Sequence, residues 1–270
     1  MPIDLTFRVG FGALALTDWD APADPEPAVK VLRRAVELGV TFIDTADSYA
    51  LGANEELIAR ALHPYPEGVR IATKAGRTRS RRGDWGILGR PEYLRQQVEL
   101  SLRRLRVERL DLFQLHRIDP LVPFDDQIGT LRELQDDGLV GDVGLSEVGA
   151  DQIERARRIV EVVSVQNRYN LGDRAHDPVV DYCTAGGLTF IPWLPLAGGR
   201  TSPVAAQVAA EIRATPAQVA LAWLLRRSPM MLPIPGTSSL DHLAENVAAA
   251  NVELSDSQYA RLADAAASRP

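Results

Sequence analysis

An aspartate, a tyrosine, a lysine and a histidine stand at or just past the ends of short apolar runs in this chain. They are Asp44 and Tyr49 in FIDTADSY (42–49), Lys74 in VRIATK (69–74) and His116 in DLFQLH (111–116). A free phenol has a pKa of about 10, too high for an efficient acid near neutrality. A neighbouring ammonium stabilises phenolate and lowers that value. Lys74 could supply this charge, held by Asp44 in an ion pair that matters where the site is dry. His116 could orient a carbonyl or relay a proton. The set suits protonation of a carbonyl oxygen as a hydride reaches the carbon. The hydride must come from a cofactor, because no side chain donates one. Taken singly, each residue has a plainer role: a turn cap, a packing tyrosine, a surface lysine, a satisfied core histidine. At the ends of three successive strands, the plainer roles no longer account for all four.

The elements that must position them follow from the pattern of apolar residues. Strand signals recur at 9–16, 40–44, 69–74, 110–116, 139–146, 162–167, 188–196 and 230–236, rich in Val, Ile, Leu and Phe as strands buried on both faces are. Helical patterns lie between them. Val29, Leu32 and Val36 share a face, with Gly39 as a stop. Asn54 is read as the cap of the next helix, with Glu55 and Glu56 in its first turn. Pro91 opens a third, carrying Leu94, Val98, Leu102 and Leu105 on one stripe. Ile128, Leu131 and Leu134 mark a fourth, and two more run over 151–160 and 177–185. Thr215, Pro216 and Gln218 form a capping-box start. The last two helices begin near Ser239 and at Ser255–Gln258. Eight strands alternating with helices in 270 residues predict an α/β fold, a (β/α)8 TIM barrel forming a single domain over 1–270. No glycine-rich turn of the dinucleotide-binding kind follows the first strand, which argues against a doubly wound sheet. The long connections at 75–90, 117–123 and 196–203 would sit at the substrate-binding face.

Bulk properties exclude several classes. A net charge of −6 and a pI near 5.3 argue against nucleic-acid binding. RTRSRR (77–82) reads as a solvated loop. One cysteine, Cys183, allows no intrachain disulfide and no thiolate metal site. The start lacks a signal-peptide pattern and no apolar run is long enough to span a bilayer, so a cytoplasmic protein without a membrane partner is expected.

Three segments carry a family resemblance that runs from the first strand to the final helix. FIDTADSY resembles the Asp-Tyr signature of the aldo-keto reductases. LRRLRVERLDLFQLH resembles their second signature, which ends in the active-site histidine. IPGTSSLDHLAEN (234–246) resembles their third, which holds the cofactor phosphate. The resemblance implies a nicotinamide cofactor in extended form, usually NADPH with NADH as the alternative, and no metal. It implies Tyr49 as acid/base, Lys74 and Asp44 as its tuning pair, and His116 as the carbonyl-orienting partner. By position, Ser146 and Gln166 match the residues that hold the nicotinamide carboxamide, and Trp193 falls where an aromatic stacks on the nicotinamide ring. Leu194, Leu196 and Gly198 would run beside the pyrophosphate. Pro235, Gly236, Thr237 and Ser238 lead into a helix N-terminus, where amide N–H groups and the dipole favour a phosphate. Glu245 and Asn246 match the pair at the adenine.

The chain departs from the family pattern in three places. Only His242 offers a cation near the 2′-phosphate, so discrimination against NADH is open. Glu147 stands where many members have Asn, and a carboxylate cannot donate to a carboxamide oxygen. The chain starts almost at its first strand, so the barrel floor needs another cover. For the substrate, Trp19 and Trp85 could line the pocket, and Arg77, Arg79, Arg81 and Arg82 could attract an anion. The pattern is similar to bacterial members that reduce small aldehydes, pyridoxal among them. The substrate expected is a small aldehyde or ketone, aromatic or heteroaromatic. Two rivals stand beside this reading: a nicotinamide-binding regulatory subunit with little turnover, and a Schiff-base lyase using Lys74 as nucleophile.

Overall fold

The computed structural model describes residues 3–17, 23–81, 83–200 and 202–267. Seven parallel strands form one curled sheet in the order β1 (Phe11–Gly12), β2 (Phe42–Asp44), β3 (Arg70–Ala75), β6 (Leu110–Leu115), β7 (Val140–Ser146), β8 (Val162–Gln166) and β9 (Thr189–Phe190). The remaining two, β4 (Arg77–Arg81) and β5 (Asp84–Ile87), make an antiparallel hairpin. Ten α-helices complete the described chain. They are α1 (Glu26–Glu37), α2 (Ala53–Leu62), α3 (Pro91–Leu105), α4 (Phe124–Asp136), α5 (Ala150–Ala156), α6 (Asp177–Gly186), α7 (Pro203–Ile212), α8 (Pro216–Arg227), α9 (Leu240–Ala248) and α10 (Asp256–Ala267).

The eighth predicted strand, 230–236, is present as a hydrogen-bonded segment without regular strand structure. Phe190 donates to Met230 O, and Leu232 donates to Phe190 O, both at 2.9 Å. On the other side Gly10 donates to Pro233 O (2.9 Å) and Gly12 to Pro235 O (3.3 Å). The segment thus bridges β9 to β1. Pro233 and Pro235 have no N–H, so a full ladder cannot form there. The approach is close. A Cβ on Gly12 would lie 2.7 Å from Ile234 O, and one on Gly236 would lie 2.6 Å from Gly12 O. Gly236→Ala is therefore expected to destabilise the fold by about 1–3 kcal/mol, measured by urea denaturation.

Alternation along the strands sorts side chains into two layers. Outward residues such as Ile43, Phe113, Leu115, Val143, Leu145 and Val165 pack under the helices in the larger core. Phe42, Ala72, Leu112, Ile191, Leu232 and Ile234 form a second cluster. One pleat further along, the same face carries Asp44, Lys74, Gln114 and Trp193. The interior is apolar at one level and polar at the next, toward the C-terminal strand ends. Ile3 is buried in the second cluster, with Leu5 packed against it. These N-terminal residues supply the floor cover that the sequence left open.

Several expectations need correction. The first strand shrinks from 9–16 to two residues, because Ala13–Leu16 turns into a 3-10 helix. The strand expected over 188–196 keeps only Thr189–Phe190. Asn54 is not a cap. It lies inside α2, fully buried. It accepts from Thr45 Oγ1 (2.7 Å) and donates to Ala13 O and Thr17 Oγ1 (2.9 Å each). The connection 75–90 is the β4–β5 hairpin rather than an open loop, and the region after 196 contains the unpredicted α7. The capping boxes at Thr215–Gln218 and Ser255–Gln258 form as expected.

Candidate active site

The segment that carries Tyr49 is pinned from several sides. The Asp47 amide donates to Lys74 O (3.0 Å), tying it to β3. Asn54 ties the start of α2 to Thr45 and to Ala13, in the 3-10 turn after the first strand. Arg104 of α3 pairs with the buried Glu55 at 2.6 Å, and Thr73 donates to the same carboxylate. Directly after Tyr49, Ala50 (φ 48°) and Leu51 (φ 53°) take left-handed backbone, an unfavourable conformation for residues with a Cβ. The turn that presents Tyr49 is held in place by these contacts.

Asp44, Tyr49, Lys74 and His116 converge. Lys74 is fully buried, and its ammonium donates to Asp44 Oδ2 (2.7 Å) and Thr45 O (2.6 Å). It also lies 5.2 Å from the centre of the Tyr49 ring. The Tyr49 and His116 rings meet edge-on, with centroids 6.0 Å apart. Asp44 receives a further hydrogen bond from Gln166 Nε2 at 2.8 Å.

Burial decides the charge states. It pushes the Tyr49 phenol up, and the opposing field of Lys74 does not cancel it. The expected net lowering of the tyrosine is thus reversed. Burial also pushes Lys74 down, but the Asp44 charge and hydrogen bond outweigh it, and the lysine is raised overall. His116 is driven well below the ordinary imidazole range by burial, then by Lys74, Arg117 and Arg77. At neutral pH the site holds a neutral phenol, an ammonium and a neutral imidazole.

Asp44, Tyr49 and His116 line a cavity of about 670 Å³. Most of the predicted cofactor residues line the same cavity. Ser146, Gln166 and Trp193 line it from the ends of β7 and β8 and from just beyond β9. Leu194, Leu196 and Gly198 follow along the wall, as do Pro235, Gly236 and Thr237, and then His242, Glu245 and Asn246 on α9. Thr237 Oγ1 accepts from Ser239 N at 3.0 Å, and Ser239 caps α9. Glu245 is held by the Thr215 hydroxyl. Ser238 is exposed and does not line the cavity, because the turn into α9 directs it outward. Lys74 sits behind Asp44 and Tyr49 rather than on the wall. Trp85 lines it and Trp19 lies outside the described residues.

Glu147 has a different part from the one its position suggests. It adopts left-handed backbone (φ 56°). Its Oε1 accepts from the Trp193 indole N–H and from the Arg168 amide, both at 2.6 Å. It therefore fixes the Trp193 ring. Arg117 was missed in the sequence, although it directly follows His116. It donates to His116 O (2.7 Å) and Ser146 Oγ (3.1 Å) and lines the cavity. Gly12, Leu14 and Ala15 were missed as well, because their run was read as a strand.

Asp47 is a second missed feature. Its carboxyl is buried, one oxygen has no hydrogen-bond partner, and Tyr93 Oη is 3.4 Å from the other. Burial, then the field of Glu55, raises its pKa to about 8. An unfolded aspartate ionises near pH 4. The folded state thus retains a proton that the unfolded state loses, and stability falls as pH rises from about 4 to about 8. Asp47→Asn lacks this penalty. Its melting temperature relative to wild type is expected to rise between pH 5 and pH 8, as thermal melts at both values would show.

Among the described residues, no group of three or more His, Cys, Asp or Glu side chains could hold a metal ion, and no helix is long and apolar enough to cross a membrane.

A sequence profile described as the aldo/keto reductase family matches residues 8–267. An uncharacterized oxidoreductase of Schizosaccharomyces pombe is 47% identical over 261 residues, covering 94% of this chain and 85% of that protein. Pyridoxine 4-dehydrogenase of Escherichia coli is 41% identical over 261 residues, covering 92% of this chain and 91% of that protein. Among solved structures, an aldo/keto reductase from Klebsiella pneumoniae in complex with NADP and acetate superposes with a TM-score of 0.80. It is 26% identical, over 94% of this chain and 89% of that one.

Proposed function

Because the chain belongs to the aldo/keto reductase family, we propose that it is an NADPH-dependent carbonyl reductase. It folds as one (β/α)8 domain, with the 230–236 segment as eighth strand, and converts an aldehyde or ketone to an alcohol. The observation that carries this reading is the buried Lys74–Asp44 pair against a buried, protonated Tyr49, on the wall of a cavity large enough for a cofactor and a small substrate.

The donor set fits a nicotinamide cofactor. Gln166 commits its amide nitrogen to Asp44, leaving a carbonyl oxygen to accept from a carboxamide N–H. Gly12 and Gly236 have no room for a Cβ, and both line the cavity. Ser146 and Gln166 would hold the carboxamide and Trp193 would face the ring. Leu194, Leu196 and Gly198 would flank the pyrophosphate. Thr237 and His242 would lie toward the adenosine phosphate, with Glu245 and Asn246 at the adenine. When bound, nicotinamide supplies the hydride. Tyr49 holds the proton at Oη and gives it to the carbonyl oxygen. The neutral His116 orients that oxygen by hydrogen bonding. Lys74 stabilises the phenolate left behind, and Asp44 keeps Lys74 charged and in place.

A Schiff-base lyase is disfavoured because an ammonium locked by Asp44 is not nucleophilic. The pyridoxine 4-dehydrogenase similarity supports a small heteroaromatic aldehyde such as pyridoxal as a substrate, with Trp85 beside it. The test is NADPH and NADH oxidation at 340 nm with a panel of aliphatic, aromatic and heteroaromatic aldehydes and ketones, beside fluorescence titration of both cofactors. The reading predicts turnover with aromatic aldehydes and NADPH. Cofactor binding without oxidation by any carbonyl compound would instead favour a regulatory subunit.

A further inference from the structure

Arg77 and Arg117 reach the same cavity wall as Tyr49 and His116 from two different strand ends. Arg77 opens β4, just past Gly76 at the end of β3, and Gly76 has the left-handed backbone (φ 112°) that redirects the chain into the hairpin. Its guanidinium carbon lies 4.5 Å from the centre of the Trp85 ring. Arg79, two residues on and on the same face, lies 4.4 Å from that centre. Trp85 thus anchors the arginine by its flat face. Arg77 Nε is buried and has no hydrogen-bond partner. Arg117 is anchored by His116 O and Ser146 Oγ.

Both guanidiniums have lost part of their hydration, and burial pushes both pKa values down. Each lies close enough to His116 to disfavour its protonation. Among the described residues, neither has a carboxylate at ion-pair distance. Glu147 is the carboxylate whose field both feel, but its Oε1 is taken by Trp193 and Arg168. Asp44 is neutralised by Lys74. The cavity wall beside Tyr49 and His116 therefore holds two partly desolvated, pre-positioned cations, and Glu147 is not among the residues lining that cavity. An oxyanion would restore their lost solvation through charge-assisted, bidentate hydrogen bonds. Its position would be beside the carbonyl rather than at the adenosine end.

Resting on the reductase reading above, we propose that the substrate is an aldehyde bearing an oxyanion, a carboxylate or a phosphate ester. Arg77 and Arg117 bind that oxyanion while Tyr49 and His116 hold the carbonyl.

The experiment compares kcat/KM with NADPH for three aldehydes of similar shape: 4-carboxybenzaldehyde, 4-formylphenyl phosphate and the neutral methyl 4-formylbenzoate. Wild type is expected to favour at least one anionic aldehyde over the neutral ester by about tenfold or more. Arg77→Gln and Arg117→Gln are each expected to lower that ratio by about tenfold, mainly through KM, with far-ultraviolet circular dichroism checking the fold. Preference for both anions supports a general oxyanion site, and preference for the phosphate alone supports a phosphate-ester site. A ratio near one in wild type, or a ratio unmoved by both substitutions while the neutral ester is still reduced, overturns the oxyanion site and leaves the reductase standing. Cofactor binding with no reduction of any of the three overturns the reductase reading and this inference with it.

Discussion

Tyr49→Phe is expected to lower kcat for aldehyde reduction by about 10²–10⁴-fold while leaving the dissociation constant for NADPH close to that of wild type. The substitution removes the proton held at Oη and keeps the ring that packs edge-on against His116. The pH profile follows from the direction of the tyrosine shift. Burial, opposed by Lys74, leaves the phenol above its ordinary pKa, so it is protonated throughout the neutral range. Reduction by wild type should then be level through neutral pH and fall only on the alkaline side. Alcohol oxidation, which needs phenolate, should rise over the same alkaline range. Single-turnover kinetics with separately measured cofactor affinity would check both. Retained turnover in the Phe variant would remove Tyr49 from the acid role.

Lys74→Met is expected to abolish most turnover and to cost about 3–5 kcal/mol of stability. The lysine is fully buried, and its removal would leave the Asp44 carboxylate with Gln166 and, at 3.5 Å, Gln114 as neutral donors. An uncompensated buried charge is the expensive outcome. The double variant Lys74→Met/Asp44→Asn removes that charge and should recover much of the stability without recovering turnover, because the tyrosine still lacks its ammonium. Denaturant unfolding separates the two effects. A single variant that loses less than about 1 kcal/mol would mean that the pair is well solvated and not the dry device described above.

The convergence of Asp44, Tyr49, Lys74 and His116 was legible because strand alternation and strand-end position are local properties. Asp44, Lys74 and His116 each follow a short apolar run, and the parallel sheet brings those ends together. The boundaries of the first and last strands were not legible, for a different reason. Pro233 and Pro235 cannot donate, and Gly12 and Gly236 pack backbone to backbone, so the closing bonds are set by tertiary contact rather than by pattern. Asn54 misled because Asn before a helical run usually caps it. Here its amide joins Thr45, Ala13 and Thr17, which are distant in the chain. Glu147 was recognised as a departure, but its bond to the Trp193 indole depends on β7 and the end of β9 meeting in space. Lys74 was expected to set the net direction of the tyrosine shift. The sign depended instead on depth of burial, which a sequence does not report.

The most direct test of the central claim is isotope transfer. NADPH carrying deuterium at C4 of the dihydronicotinamide, prepared as each of the two C4 stereoisomers, would be incubated with the protein and an aromatic aldehyde. The alcohol would then be analysed by mass spectrometry. The account predicts an alcohol one mass unit heavier from one of the two cofactor preparations, and no such product with Tyr49→Phe over the same time. Alcohol formed without deuterium from either preparation, or no alcohol at all despite bound NADPH, would contradict it.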